Sequence, residues 1–119
     1  MVRSQNKSVD LAIKATNLNG LTSNGQVMVG NKAFEYYNDK NKADFIQIPY
    51  GEIDYITAEV LFGKKIVRFA IHTKSNRNFI FSTRDNKKTL RAVNKYLPDE
   101  KLRKSLGVMD YIKKSFKKK

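Results

Sequence analysis

The fold is decided by the stretch IVRFAIHTKSNRNFIFSTRDNKKTLRAVNKYL, residues 66–97. Its first eight residues alternate in character, with Val67, Phe69 and Ile71 on one face and Arg68 and His72 on the other, as in a half-buried strand. Residues 78–83 repeat the alternation after a polar turn. The two segments therefore predict a β-hairpin.

Helical spacing replaces the alternation in the last part of this stretch. Leu90, Val93 and Leu97 recur at intervals of three and four residues, which places them on one face of a helix. Asp85 is of the type that caps helix N-termini, and Pro98 ends the pattern. We expect one helix, closing a run of strands.

Upstream of the hairpin, alternation and turn signals predict further strands. These cover residues 9–16, 26–29, 33–37, 45–48 and 53–62. The total is about seven strands joined by short polar turns, with no alternation of strand and helix. The predicted fold is mainly β with a C-terminal helix: an antiparallel seven-stranded barrel whose open end the helix covers.

Composition narrows the classes of function. The 119 residues predict one domain, and the net charge of +13 predicts attraction to anions such as nucleic acid, anionic lipid, phosphorylated ligands or an acidic protein. The chain has no cysteine, which excludes disulfides and thiol chemistry. Residues 1–7 lack the apolar core of a signal peptide. We expect a cytoplasmic protein, peripheral at the inner membrane face if it binds lipid.

The basic character is concentrated near the C-terminus. We assign residues 1–97 to the barrel with its capping helix and residues 98–119 to a basic amphipathic helical tail of the same domain. The apolar stripe of the predicted tail helix is Leu102, Leu106, Met109, Ile112 and Phe116. The candidate partner-binding residues around it are Lys101, Arg103, Lys104, Lys113, Lys114, Lys117, Lys118 and Lys119. The same lysines also suit the solvated back of a helix that packs on the barrel.

Several segments resemble one known family. They are SVDL (8–11), VGNKAFEYYND (29–39), YGEIDYI (50–56), RFAI (68–71) and RDNKK (84–88). These segments are similar to the ManO-type proteins of Gram-positive bacteria, a family of unknown molecular function encoded beside mannose-class sugar phosphotransferase systems and labelled an operon regulator. The resemblance implies a pleckstrin-homology or GRAM-like barrel. None of the matched segments is a catalytic motif, so the resemblance assigns no role to any residue.

Catalytic chemistry is not indicated by the titratable residues. His72 is the only histidine, and the strand alternation places it on the outer face beside Arg68, where we expect a solvated side chain. Glu52 and Asp54 alternate about Ile53 as strand residues do, with Glu59 further on, rather than forming a paired-carboxylate site. We expect no enzyme activity, cofactor or metal. The aromatic residues predicted to form the core are Phe34, Tyr36, Phe69, Phe79 and Phe81.

Two hypotheses of different class remain. The first is a non-catalytic cytoplasmic binding module that acts through protein or membrane-surface contacts, with a mannose-class sugar transporter component or an anionic membrane as its partner. The second is a nucleic-acid-binding regulator of the mannose operon, favoured by charge but carrying no helix-turn-helix, ribonucleoprotein motif or zinc finger. A second copy of the chain is a further candidate partner.

Overall fold

The computed structural model describes residues 3–106 as a single sheet with one α-helix. The strands are β1 (Val9–Asn17), β2 (Ser23–Gly30), β3 (Ala33–Asn38), β4 (Phe45–Pro49), β5 (Ile53–Leu61), β6 (Lys65–Thr73), β7 (Asn78–Thr83) and β8 (Leu102–Leu106). The α-helix is α1 (Asn86–Asn94), and short 3-10 turns occur at Tyr50–Glu52 and Asp99–Lys101. The mainly β prediction with a helix after the hairpin is therefore confirmed.

The strand order in the sheet is β4-β3-β2-β1-β7-β6-β5-β8. Successive strands pair antiparallel from β1 to β4 and from β5 to β7. A short antiparallel pairing between β1 and β7 joins these two runs, with Ala15 opposite Thr83 and Asn17 opposite Phe81. Because each run is a set of hairpins, the alternation of each strand decides which face it turns inward.

The eighth strand corrects the sequence analysis. Leu102–Leu106 was expected to open a tail helix, yet it forms β8 and pairs in parallel with β5, with Leu102 opposite Ile56. The edge of β5 offers a row of unpaired backbone groups, and pairing with β8 satisfies them; this long-range pairing outweighs local helical spacing. The described sheet is open and mixed, so seven strands in a purely antiparallel barrel are not confirmed.

Aromatic side chains fill the interior between the strands. Phe34, Tyr36, Phe69 and Phe81 are buried, as predicted, whereas Phe79 is partly exposed. The Phe34 ring meets the Phe69 ring edge-on, with 5.9 Å between centroids, and lies 5.2 Å from that of Phe81. These contacts join β3 to β6 and β7, so the two antiparallel runs share one core.

Helix α1 begins and packs as its spacing predicts. Asp85 is the N-cap, and its carboxylate accepts a hydrogen bond from the Lys88 backbone N–H at 3.0 Å. Leu90, Val93 and Leu97 are buried in the common core. The apolar face of the helix therefore packs against the core of the sheet.

The segment before β1 lies across the outer face of β3. Glu35 is completely buried there, and its carboxylate accepts hydrogen bonds from the Ser4 hydroxyl at 2.6 Å and the Gln5 backbone N–H at 2.7 Å. The Asn6 side chain accepts from the backbone N–H groups of Lys32 and Ala33 at 2.8 and 2.7 Å. These bonds hold the segment in place and satisfy the buried carboxylate.

The remainder of the predicted tail, residues 107–119, lies outside the described residues. This includes Met109, Ile112 and Phe116 of the stripe and five of the candidate partner-binding residues: Lys113, Lys114, Lys117, Lys118 and Lys119. Between residues 3 and 106, no helix has the length and apolar character needed to cross a bilayer.

Candidate functional site

A groove with basic walls lies where the β5–β6 turn, the end of β7 and the start of α1 converge. Its volume is about 540 Å³, and Lys64, Lys65, Arg84 and Lys87 line it. A second depression of about 470 Å³ shares Arg84 with the first and adds Lys14 from β1. We call the two depressions together the cationic groove, and its cations are Lys14, Lys64, Lys65, Arg84 and Lys87.

Strand register brings these cations together. The Arg84 backbone N–H donates to the Lys14 carbonyl oxygen at 2.9 Å, which extends the β1–β7 pairing by one step and sets the two residues side by side. Lys64 closes the β5–β6 turn through a hydrogen bond from its N–H to the Leu61 carbonyl at 3.2 Å. Residues far apart in the chain thus line one surface.

Buried polar side chains fix the floor of the groove. Asn86, the first residue of α1, donates from its amide to the Ile66 carbonyl at 2.9 Å and accepts from the Thr83 backbone N–H at 2.7 Å. The Thr83 hydroxyl is 2.8 Å from that of Thr89, which in turn donates to the Asp85 carbonyl at 2.9 Å. Helix and strands therefore meet through a fully bonded network that holds the groove walls in position.

The charges of the groove are poorly balanced. All five of its cations are exposed, whereas the carboxylates that line it are those of Asp39 and Asp85. The ion pairs within residues 3–106 join Arg68 to Glu59 and Lys95 to Asp10, and none of them uses a groove cation. The N-terminus of α1 adds to the positive potential. Positive potential of this kind favours the binding of phosphate or carboxylate groups.

The predicted partner-binding residues that the structure describes do not line the cationic groove. Lys101 donates from Nζ to the Ile53 carbonyl at 3.0 Å, so it holds the start of β5. Arg103 lies over the Tyr55 ring, with 4.3 Å from its guanidinium carbon to the ring centroid, and Lys104 is exposed on β8. These three residues lie on or beside the sheet edge rather than in the cationic groove.

His72 has more contacts than a solvated strand residue. It lies on the outer face, as predicted, but its ring stacks on Tyr55 with 4.3 Å between centroids. Its Nε2 is 3.0 Å from the Thr57 hydroxyl and its Nδ1 is 2.9 Å from the Asn78 amide oxygen. Both ring nitrogens are thus engaged, and the stack serves to join neighbouring strands.

One acidic residue of β5 is engaged in an ion pair. Glu59, one of the carboxylates considered above, pairs with Arg68 at 3.2 Å across the β5–β6 ladder. Residues 3–106 contain no group of three or more acidic or histidine side chains placed to hold a metal ion.

Sequence reasoning missed the cationic groove because its members come from separate segments. The one local signal is the pair Lys64 and Lys65 after Gly63, and this pattern by itself indicates only a turn. Nothing in the spacing of Lys14 and Arg84 indicates that they are neighbours, since only the β1–β7 register brings them together.

Comparisons with known proteins agree with the fold. Residues 1–116 match a family model described as a domain of unknown function, DUF956. The crystal structure of the C-terminal domain of an unknown protein from Leishmania infantum superposes with a TM-score of 0.66 at 11% sequence identity, covering 74% of this chain and 82% of that chain. At this identity the likeness concerns the fold alone. A comparison with curated proteins found no match.

Proposed function

The chain belongs to DUF956, a family of domains of unknown function, and we propose that it is a non-catalytic binding module that holds an anionic partner against the cationic groove. The observation that carries the proposal is the set of five exposed cations lining one groove, none of which is used in an ion pair within residues 3–106. Such a surface favours association with phosphate-rich or acidic partners.

The resemblance to ManO-type proteins names a candidate partner. On that basis the module acts in the cytoplasm beside a mannose-class sugar phosphotransferase system, through a transporter protein or the anionic membrane surface around it. We also infer a pleckstrin-homology or GRAM-like architecture. Its support is the pair of antiparallel runs, β1 to β4 and β5 to β7, with α1 packed on their shared core.

Co-purification from native cells tests this function with a matched pair of variants. Lys64→Glu combined with Lys65→Glu reverses two charges in the groove. Lys7→Glu combined with Lys74→Glu makes the same change of net charge at exposed positions outside it. We expect the first variant to lose the transporter component or the membrane fraction and the second to retain it. Equal recovery with both variants would contradict the proposal.

A truncation that tests the contribution of the tail must leave β8 in place. Removing residues 98–119 would also remove β8 and leave the edge of β5 unpaired, so loss of the partner would have two explanations. Removal of residues 107–119 keeps the strand and tests Lys113, Lys114 and Lys117 to Lys119 as contributors.

The nucleic-acid alternative makes a different prediction. The net charge of +13 attracts DNA of any sequence through its phosphates. A true operator-binding regulator would prefer its operator to random DNA by about 10³ or more at physiological salt. We expect a ratio near unity for this chain.

A further inference from the structure

An exposed aromatic side chain lies at the tip of the hairpin that carries two of the groove cations. Phe62 is 50% exposed and has a φ of 56°, and the following Gly63 has a φ of 70°. The Lys64 N–H bonds to the Leu61 carbonyl, and strand pairing resumes at Leu61 and Lys65. A turn with both central residues at positive φ favours Asn-Gly, and a bulky aromatic residue in that conformation is an outlier. Outliers of this kind concentrate at functional sites.

Two of the groove cations follow this tip in the chain. Lys64 and Lys65 follow Phe62 directly after the glycine and line the cationic groove, opposite Arg84 and Lys87. An aromatic ring projecting beside a cluster of lysine and arginine side chains is the combination that partitions to the interface of an anionic bilayer. The ring gains from leaving water, while the cations gain from lipid phosphates.

The last described strand ends beside the hairpin tip. β8 runs parallel to β5 and finishes with Leu106 opposite Val60, next to the β5–β6 turn. The chain therefore leaves the described sheet at the end that carries Phe62 and Lys64.

We propose that this end of the molecule docks on an anionic lipid bilayer, with Phe62 inserted at the level of the headgroups and the cationic groove against the lipid phosphates. The inference rests on the proposed function and makes it specific, because it names the bilayer rather than a protein as the surface bound. Insertion of an apolar side chain distinguishes this proposal from binding by charge attraction alone.

The absence of tryptophan from the chain permits a direct test. Phe62→Trp introduces a single fluorophore at the hairpin tip, and Leu21→Trp places one at the 95% exposed Leu21 in the β1–β2 loop, which does not line the groove. Vesicles of phosphatidylcholine and phosphatidylglycerol in equal parts are added to each full-length variant. We expect the emission of Phe62→Trp to shift to shorter wavelength and to be quenched by brominated lipid, while Leu21→Trp changes in neither respect.

Affinity supplies the second measurement. Phe62→Asn should lower the partition coefficient for these vesicles by about tenfold, and each of Lys64→Gln and Lys65→Gln by about fivefold. Leu21→Asn is the matched control and should bind as the unmodified chain does. Vesicles of phosphatidylcholine alone should bind none of the proteins measurably.

Two results would overturn the inference. One is an unshifted Phe62→Trp emission on vesicles that demonstrably bind the protein, since the tip would then stay in water. The other is a Phe62→Asn variant that still binds vesicles but no longer recovers a transporter protein from native cells. That result would show that the tip binds a protein. In the second case the proposed anion-binding module stands and only the bilayer is excluded.

Discussion

The Asn86 side chain joins helix to sheet: its amide oxygen accepts the Thr83 backbone N–H at 2.7 Å, and its amide nitrogen donates to the Ile66 carbonyl at 2.9 Å. One buried residue thereby satisfies backbone groups of both β6 and β7 at the floor of the cationic groove. The position of the groove walls depends on these bonds.

Asn86→Ala should lower the free energy of unfolding by about 3 kcal/mol, because two buried backbone groups lose their partners. Urea denaturation followed by circular dichroism measures the change. Asn94→Ala, at the exposed end of the same helix, is the matched control and should change stability little. Equal effects at the two positions would show that the network does not hold the helix.

Phe62→Asn should make the protein more stable than Phe62→Ala by about 1 kcal/mol, because asparagine tolerates the left-handed backbone conformation that alanine does not. Both variants lose the aromatic ring, so their difference isolates the backbone. Urea denaturation of the two proteins gives this difference. If alanine equals or exceeds asparagine, the φ of 56° is not strained. A Phe62→Asn variant that is more stable than the unmodified chain but binds vesicles more weakly would show that Phe62 serves docking at a cost in stability.

Asn6→Ala and Gly30→Ala should each lower the free energy of unfolding by about 2 kcal/mol. The first removes the side chain that accepts the backbone N–H groups of Lys32 and Ala33, and the second places a Cβ 2.1 Å from Asn6 Cγ. Either change displaces the same segment, so the double variant should cost about as much as one alone. A double-mutant cycle measures this coupling, and simple addition of the two effects would contradict it.

Lowering the pH should remove the stabilisation that the ionised Asp10 carboxylate provides. A hydrogen bond from the Tyr96 hydroxyl, and then one from Lys95 with its charge, lower the pKa of the Asp10 carboxyl from its ordinary value of 3.8. Because the folded pKa lies below the unfolded one, the contribution is present above about pH 4 and disappears as the pH falls through the folded pKa.

The thermal midpoint of Asp10→Asn should therefore lie below that of the unmodified chain at neutral pH, and the gap should close on acidification. Scanning calorimetry across this range measures it. Asp54→Asn makes the same change of charge at an exposed site on β5. A gap that stays constant with pH would show that ionised Asp10 does not stabilise the fold.

Local sequence determined the hairpin and the helix of this protein. Alternating side chains defined β7 at residues 78–83 without error, and the spacing of Leu90, Val93 and Leu97 after Asp85 predicted α1 with its cap and its buried face. These features follow from interactions between residues a few positions apart, which a linear pattern records. The same reasoning predicted the aromatic core.

Tertiary structure alone decided β8 and the cationic groove. Leu102–Leu106 has helical spacing with the residues that follow it, but the unpaired edge of β5 made it a strand. Lys14 and Arg84 became neighbours through the β1–β7 register, and α1 brought Lys87 to Lys64 and Lys65. Pairing between distant strands fixes such contacts through backbone hydrogen bonds that are the same for every residue type, so side-chain patterns along the chain do not reveal them.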